Sequence, residues 1–383
     1  MKKESMLKQI AFSNNRHRSK GRIWLMWLAL WLIGVSTSCA TPAKNVVATG
    51  DFPSEPLWTF NAKERVISLA STTNKVFVST SRKLYSLDAA DGHLLWQTDL
   101  ANQQYYPPIV CQDVLVSPAG DASLAVLSAN NGQILWEDTE VRDSQQNIIS
   151  IVCTGDTVIA ARDGVITAYF LNTGKVSWVR FVGSRWGTDI AIIRDKVFAA
   201  TDNGVFAFNV HSGEQYFQSS EGMTSPFLLF ENDLYVIVFQ DPGYELIRIN
   251  PDNGNIMGGI SLPQAIHPST MAYADHILYF STGSGVIAVS LVDGKVVWEN
   301  EGFGGLSGLI EQMPVILANK LYVRDATKLH VLDAQNGLYL GSLTLGGSLS
   351  WDFFSIPFPT PVVVNQQMLV VSIGENLVYA YRP

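Results

Sequence analysis

The chain has 383 residues, 47% apolar and 11% aromatic with ten Trp, enough to bury a large core and to exclude wholesale disorder, collagen and coiled coil. Its formal charge of −8 is uneven: residues 1–38 carry Lys2, Lys3, Lys8, Arg16, Arg18, Lys20 and Arg22 against Glu4, while the remainder holds 19 basic and 33 acidic residues, a net −14. A body that acidic is a poor polyanion binder, which argues against nucleic acid as a partner.

In chain order, the basic stretch ends at Arg22, and Ile23 to Val35 follow as thirteen uncharged residues. A helix of that length rises about 20 Å, short of a hydrocarbon core of about 30 Å. Ser36-Thr37-Ser38 and Cys39 come next. A basic segment, a short apolar segment and small residues describe an export signal over 1–38. Because the basic segment is long, Met6 is an alternative start. Val35 to Cys39 resembles the lipobox of bacterial lipoproteins, although Ser36 stands where Leu is commonest. That resemblance implies cleavage before Cys39 and acylation of its thiol. Ordinary cleavage near Ala40 and an uncleaved anchor are the alternatives. Ala40 is not the Asp of an inner-membrane retention signal, which favours the outer membrane. Residues 39–55 are small, polar and Pro-containing, and are expected to form a flexible tether.

From residue 56 the chain repeats. Seven segments align on Gly92, Gly132, Gly174, Gly213, Gly254, Gly294 and Gly337, spaced by 40, 42, 39, 41, 40 and 43 residues. Each glycine follows Asp91, Asn131, Thr173, Ser212, Asn253, Asp293 or Asn336. Side-chain oxygens brace a turn there, and glycine takes the positive φ. Short alternating apolar runs flank each turn, so each glycine marks a hairpin. A second hairpin lies upstream, as in 66–80, 189–201 and 271–282. Four strands every 41 residues or so define a β-propeller blade.

The ends set the blade number. The chain finishes on Val378-Tyr379-Ala380-Tyr381, which matches a third strand and lacks a fourth. Leu57-Trp58-Thr59-Phe60 is an orphan strand before the first full hairpin. The expected fold is therefore all-β: an eight-bladed propeller of four-stranded antiparallel blades over 56–383, the last blade closed by the N-terminal strand. Closure leaves no open sheet at the junction.

Four residues after the glycine stand Trp96, Trp136, Trp178 and Trp298, with Phe217 in the fourth repeat; Gly258 and Gly341 break the column, and Trp58 belongs to the orphan strand. Trp at fixed phase reads as packing between blades. A carbohydrate platform is the alternative and would need exposed rings. With its D/N-x-x-(D/N/S/T)-G-x-x-x-W pattern, the repeat resembles the tryptophan-docking repeat of pyrroloquinoline-quinone (PQQ) propellers. That superfamily holds both quinoprotein dehydrogenases and non-enzymatic propellers, among them the lipoproteins of outer-membrane β-barrel assembly. The lipoprotein signal, tether and single propeller resemble the latter.

The dehydrogenase branch implies a Ca²⁺ held by carboxylate and amide oxygens, a catalytic Asp and often a vicinal Cys pair. There is no Cys-Cys, and no carboxylates cluster at matching phase in neighbouring repeats. Neither G-x-S-x-G nor G-x-x-x-x-G-K-[ST] occurs. His93, His211, His267, His276 and His330 form no zinc-type pair. No catalytic residue, metal or cofactor is therefore assigned. Cys111 and Cys153 lie 21 residues before Gly132 and Gly174, at equivalent points of adjacent blades. Such points come within disulfide range, about 4.4–6.8 Å between Cα atoms, only near the axis. Two small buried hydrophobes are the favoured reading.

Function is then expected on connectors displayed by the ring. One is Gly183-Ser184-Arg185-Trp186-Gly187. In the assembly lipoproteins the connector after the third docking Trp carries an Arg that binds the barrel insertase, and Arg185 is the matching residue. The other is 341–360, with Trp351, Asp352, Phe353, Phe354 and Phe358. Its aromatics either fold over the core or form a partner patch. The leading reading is a lipid-anchored, non-enzymatic scaffold, held to the outer membrane with its propeller in the periplasm and the β-barrel insertase as partner. The alternatives are a PQQ- or other ligand-binding propeller, and a surface adhesion or glycan-binding propeller.

Overall fold

The computed structural model describes residues 48–382, apart from 51, 53–54, 102–106, 119–122, 139–147, 163, 184–187, 220–226, 231–232, 241–242, 265, 267–269, 283–284, 302–312, 326, 346–361 and 365–366. Antiparallel strands form eight sheets. Seven hold four consecutive strands each: blade 1 over 68–99, blade 2 over 109–138, blade 3 over 148–181, blade 4 over 189–218, blade 5 over 228–262, blade 6 over 272–301 and blade 7 over 315–344. Blade 8 takes three strands from 362–381 and its outermost from Trp58–Asn61. Trp58 pairs with Ala380 and Asn61 with Leu377, so the two ends of the chain close the ring as the orphan strand implied.

Blades 1 to 7 turn on the same device. Gly92 N–H donates to the Asp88 carbonyl at 2.9 Å, with φ +74 at the glycine. The pairing then slips by one residue between Ser86 and Leu87. The same slip follows the turns at Gly132, Gly174, Gly213, Gly254, Gly294 and Gly337. The connection spans four residues, Ala89–Gly92, and ends in a left-handed glycine followed by a bulge. Asp91 and Asn131 brace it by accepting the N–H two residues on, both at 3.0 Å.

The core lies between blades. Eight clusters of buried apolar residues fill eight seams, one for each pair of neighbours. Second and third strands are covered on both faces, so Thr157–Arg162 is buried throughout and reads as a nearly continuous apolar run. Outermost strands alternate instead, as Leu94–Asp99 does around buried Trp96. First strands of neighbouring blades approach one another around the axis. Blades connect at the end opposite the glycine turns, so all blade-to-blade connectors share one face with the second-to-third strand loops. That face is called the connector face below.

Candidate functional site

The glycine and the Trp of one repeat do not meet each other. Each ring meets the glycine of the next blade. A Cβ added to Gly92 would fall 2.6 Å from the Trp58 ring, one on Gly132 2.5 Å from Trp96, and one on Gly337 2.4 Å from Trp298. Gly174 and Gly213 stand in the same relation to Trp136 and Trp178, and Gly254 to Phe217. Each indole N–H donates to a carbonyl of that turn: Trp58 to Ala89 at 2.8 Å, Trp96 to Ala129 at 3.2 Å, Trp136 to Leu171 at 2.6 Å, Trp178 to Val210 at 2.8 Å and Trp298 to Ala334 at 3.0 Å. The rings are buried or nearly so and leave no face on which a sugar could stack.

The two breaks in the column have separate causes. Gly341 belongs to blade 7, and the next blade is the one closed by the two chain ends. Blade 8 therefore has no third-to-fourth-strand turn on which a Trp could dock. At Gly258 the next turn does exist, but Ile260 fills the space: its Cγ2 would lie 2.3 Å from a Cβ on Gly294.

Cys111 and Cys153 form a disulfide, with Cα atoms 6.0 Å apart. This corrects the expectation of two separate buried thiols. Both residues lie on first strands of adjacent blades, where the ring is narrowest. Gln112 reinforces the junction, its side-chain amide donating to the Gly155 carbonyl at 2.9 Å.

Within the expected tether, residues 48–50 and 52 are placed on the ring. Ala48–Gly50 forms a fifth, outermost strand on blade 7. Phe52 is buried against Tyr322 of blade 7 and Tyr381 of blade 8. No alternating apolar pattern marks this segment in the sequence.

Two arginines are buried at the ends of second strands, Arg162 in blade 3 and Arg324 in blade 7, one residue out of phase with each other, so that Arg162 meets the preceding blade and Arg324 the following one. Arg162 donates to Tyr169 at 3.0 Å, and Tyr169 donates to Asp138 at 2.6 Å. Arg324 donates to the Ser372 hydroxyl and carbonyl at 2.9 and 3.2 Å. Burial pulls the Arg324 guanidinium down to about 10, against the adjacent Asp325 carboxylate. Asp325 pairs with His330 at 2.9 Å. These groups tie blade to blade and neighbouring strands together.

Among the described residues, Asp88, Asp91 and His93 bring three potential metal ligands within 4.8 Å of one another. They sit on the blade 1 turn, where Asp88 accepts the Ala90 N–H at 2.8 Å and Asp91 accepts both the backbone N–H and Nδ1 of His93. Asp91 and His93 are solvent-exposed, and the hydrogen bonds from His93 hold the Asp91 carboxyl below the usual range. This is turn bracing. It does not fit a calcium ion beside a planar quinone, which needs carboxylate and amide oxygens converging on an enclosed slot.

Arg185, Trp186, Trp351, Phe353 and Phe354 lie outside the described residues, as does Cys39. The ends of the first connector are described. Val182 N–H donates to the Gly164 carbonyl at 2.8 Å, and Gly164 N–H to the Thr188 hydroxyl at 3.2 Å. The Asn203 amide donates to the Gly183 carbonyl.

A ring of eight blades, docking an aromatic residue on the glycine turn of the next blade at six of its seven such turns and Ile260 at the seventh, is a propeller of the tryptophan-docking, PQQ-repeat class. Within that class, a family model described as outer membrane protein assembly factor BamB matches residues 43–258. The match takes in more than half of the chain, and the chain belongs to that family. Two relatives carry the same name. One from Yersinia pestis is 22% identical over 280 residues, 67% of this chain and 68% of the relative. One from Moranella endobia (strain PCIT) is 22% identical over 197 residues, 47% of this chain, and the match spans half the length of that relative. Among solved structures, the quinohemoprotein alcohol dehydrogenase from Comamonas testosteroni superposes with a TM-score of 0.68 at 12% identity, covering 86% of this chain and 76% of that one. At that identity the likeness is one of fold.

Proposed function

We propose that this protein is a lipid-anchored, non-enzymatic propeller of the cell envelope that scaffolds the assembly of outer-membrane β-barrel proteins. Membership of the assembly-factor family carries this reading. In it, residues 1–38 are removed as the export signal, Cys39 is acylated and held at the outer membrane, and the ring works in the periplasm. The disulfide between Cys111 and Cys153 suits an oxidising compartment of that kind. The partner is the β-barrel insertase. Arg185 and Trp186 are its first contact, and Trp351, Phe353 and Phe354 the second. The ring contributes rigidity: every seam is packed, and function rides on connectors. Purification from native membranes in mild detergent, followed by mass spectrometry, tests it. Recovery of the insertase in stoichiometric amount is the expected result, and its absence at every detergent strength refutes the reading.

The dehydrogenase likeness supports a second reading, a quinone-dependent oxidoreductase. Reconstitution with PQQ and Ca²⁺ and a dye-reduction assay separates the two. Turnover above the background of free cofactor would favour the enzyme.

A further inference from the structure

At one blade the fold departs from its own repeat. The outermost strand of blade 7, Tyr339–Thr344, is covered by Ala48–Gly50, with Ala48 opposite Leu343, Thr49 opposite Ser342 and Gly50 opposite Gly341. Glycines allow this contact. Gly50 has φ +65, and a Cβ there would lie 1.9 Å from the Leu340 carbonyl oxygen. Gly341 stands where other blades carry Trp, with φ +156. Its counterpart in blade 5, Gly258, has nearly the same backbone, φ +149, and the same register slip beside it. Gly258 is exposed and Gly341 is buried. The N-terminal strand lies over only the second of these.

Phe52 then turns inward. It is 6% exposed and meets the Tyr381 ring edge-on at 5.0 Å and the Tyr322 ring at 6.4 Å. It thus fills the seam between blades 7 and 8, where no docking Trp is available. Direction follows from the pairing. The strand runs antiparallel to Tyr339–Thr344, whose last residues lead into connector 346–361. Ala48 therefore lies at the connector face, on the rim of blade 7, and the chain before it departs from there.

Chain length sets the reach. Ala48 stands nine positions after Cys39, and Trp58 nineteen. Fully extended, these span about 30 Å and about 65 Å. We infer that Ala48–Phe52 is a strap that fixes the membrane tether to the blade 7–blade 8 seam, so that the connector face is held toward the lipid surface with blade 7 nearest to it. This rests on acylation of Cys39, the reading proposed above. The lipid surface is the strap's target, and the strap sets which side of the ring faces it.

The test uses the mature full-length protein. A donor fluorophore is placed on an azide-bearing residue at one of three exposed sites: Lys328 on the connector face of blade 7, Phe181 on the same face of blade 3, or Gln335 on the turn face of blade 7. Vesicles of phosphatidylethanolamine and phosphatidylglycerol carry the acceptor on their headgroups. Energy transfer should be strongest from Lys328, at least twofold above Phe181 and Gln335. The variant Gly50→Val with Phe52→Ala should remove that difference. It should also speed amide exchange at Thr49 at least tenfold while the melting transition stays cooperative. Equal transfer from all three sites of vesicle-bound wild type would overturn the inference. Failure to bind vesicles, with Thr49 still protected, would reject the acylation reading and with it the membrane role, leaving the strap as a closure of the ring. An unprotected Thr49 in the wild type would overturn the strap itself.

Discussion

Trp298 rests on Gly337, one blade further round the ring: its indole N–H donates to the Ala334 carbonyl at 3.0 Å, and a Cβ on the glycine would fall 2.4 Å from its ring. The two residues belong to one site although they stand 39 positions apart. Trp298→Ala should destabilise the fold by about 3–5 kcal/mol, the usual result of emptying a large aromatic site. Gly337→Ala should also destabilise, because it adds a collision to the strain of a side chain at φ +72. In the Trp298→Ala background the collision is gone and only the backbone strain of about 1 kcal/mol remains. Urea unfolding of the four proteins checks this. Strict additivity would mean that the ring and the glycine do not bear on each other.

The disulfide closes a loop of 42 residues. On the chain-entropy model a loop of that size contributes about 4 kcal/mol at 25 °C. Replacing both Cys111 and Cys153 by Ser should lower unfolding stability by up to that amount. Reductant should shift the wild-type midpoint and leave the double variant unmoved. Equal midpoints for wild type with and without reductant would show that the bond does not form in solution.

Much of this ring was legible in the sequence because its information is local. The glycine, the residue before it and the Trp after it all fall within one hairpin, so spacing marked seven blades and the two chain ends supplied the eighth. The orphan strand at Trp58 was legible for the same reason: it has a fourth strand's pattern with no third strand before it. What escaped was set by radial position and by distant neighbours. Cys111 and Cys153 pair because first strands crowd the axis, a distance no repeat phase records. Ala48-Thr49-Gly50 lacks the alternation of a strand and pairs with Gly341–Leu343, far along the chain, which no local pattern records. Arg162 and Arg324 read as ordinary strand ends, because the partners that bury them, Asp138 and Ser372, lie on neighbouring blades.

Asp325 gives the fold an acid-sensitive point. Burial pulls its carboxyl upward, but the hydrogen bond with His330 and the N–H groups of Thr327 and Lys328 outweigh it and hold the group below its ordinary value. A depressed folded-state value contributes stability above the unfolded pKa of about 3.9, and that contribution is lost as pH falls through the folded value. Asp325→Asn should therefore be less stable than wild type at neutral pH and should lose less on acidification below about pH 4. Chemical denaturation from pH 7 downward checks the slope. Parallel curves for the two proteins would remove Asp325 as a contributor.

Cys39→Ser should yield an exported protein that fractionates as soluble, since acyl chains supply the membrane affinity in the proposed anchoring. Carbonate washing of the membrane pellet is the deciding step. Retention of the variant in the washed pellet would place the anchor elsewhere in the chain.

The connector at 184–187 is held at both ends. Val182 and Gly183 are tied to Gly164 and Asn203, and Thr188 accepts from Gly164, so four residues must bridge two pinned points on the connector face. Two of those four are Arg185 and Trp186, and Arg and Trp are among the residues most enriched at interface hot spots. The acidic composition of the body gives no general reason for a cation there. With its ends fixed independently, the bridge can change composition without disturbing the seam below it. Arg185→Glu combined with Trp186→Ala should therefore keep the melting temperature within about 1–2 °C of wild type, as surface changes do. The same protein should lose co-purification with the insertase, and reversing the charge alone should weaken it in a salt-dependent way. Full retention of the insertase would move the interface to the second connector, at Trp351, Phe353 and Phe354. A fall in melting temperature of many degrees would instead make Trp186 part of the core.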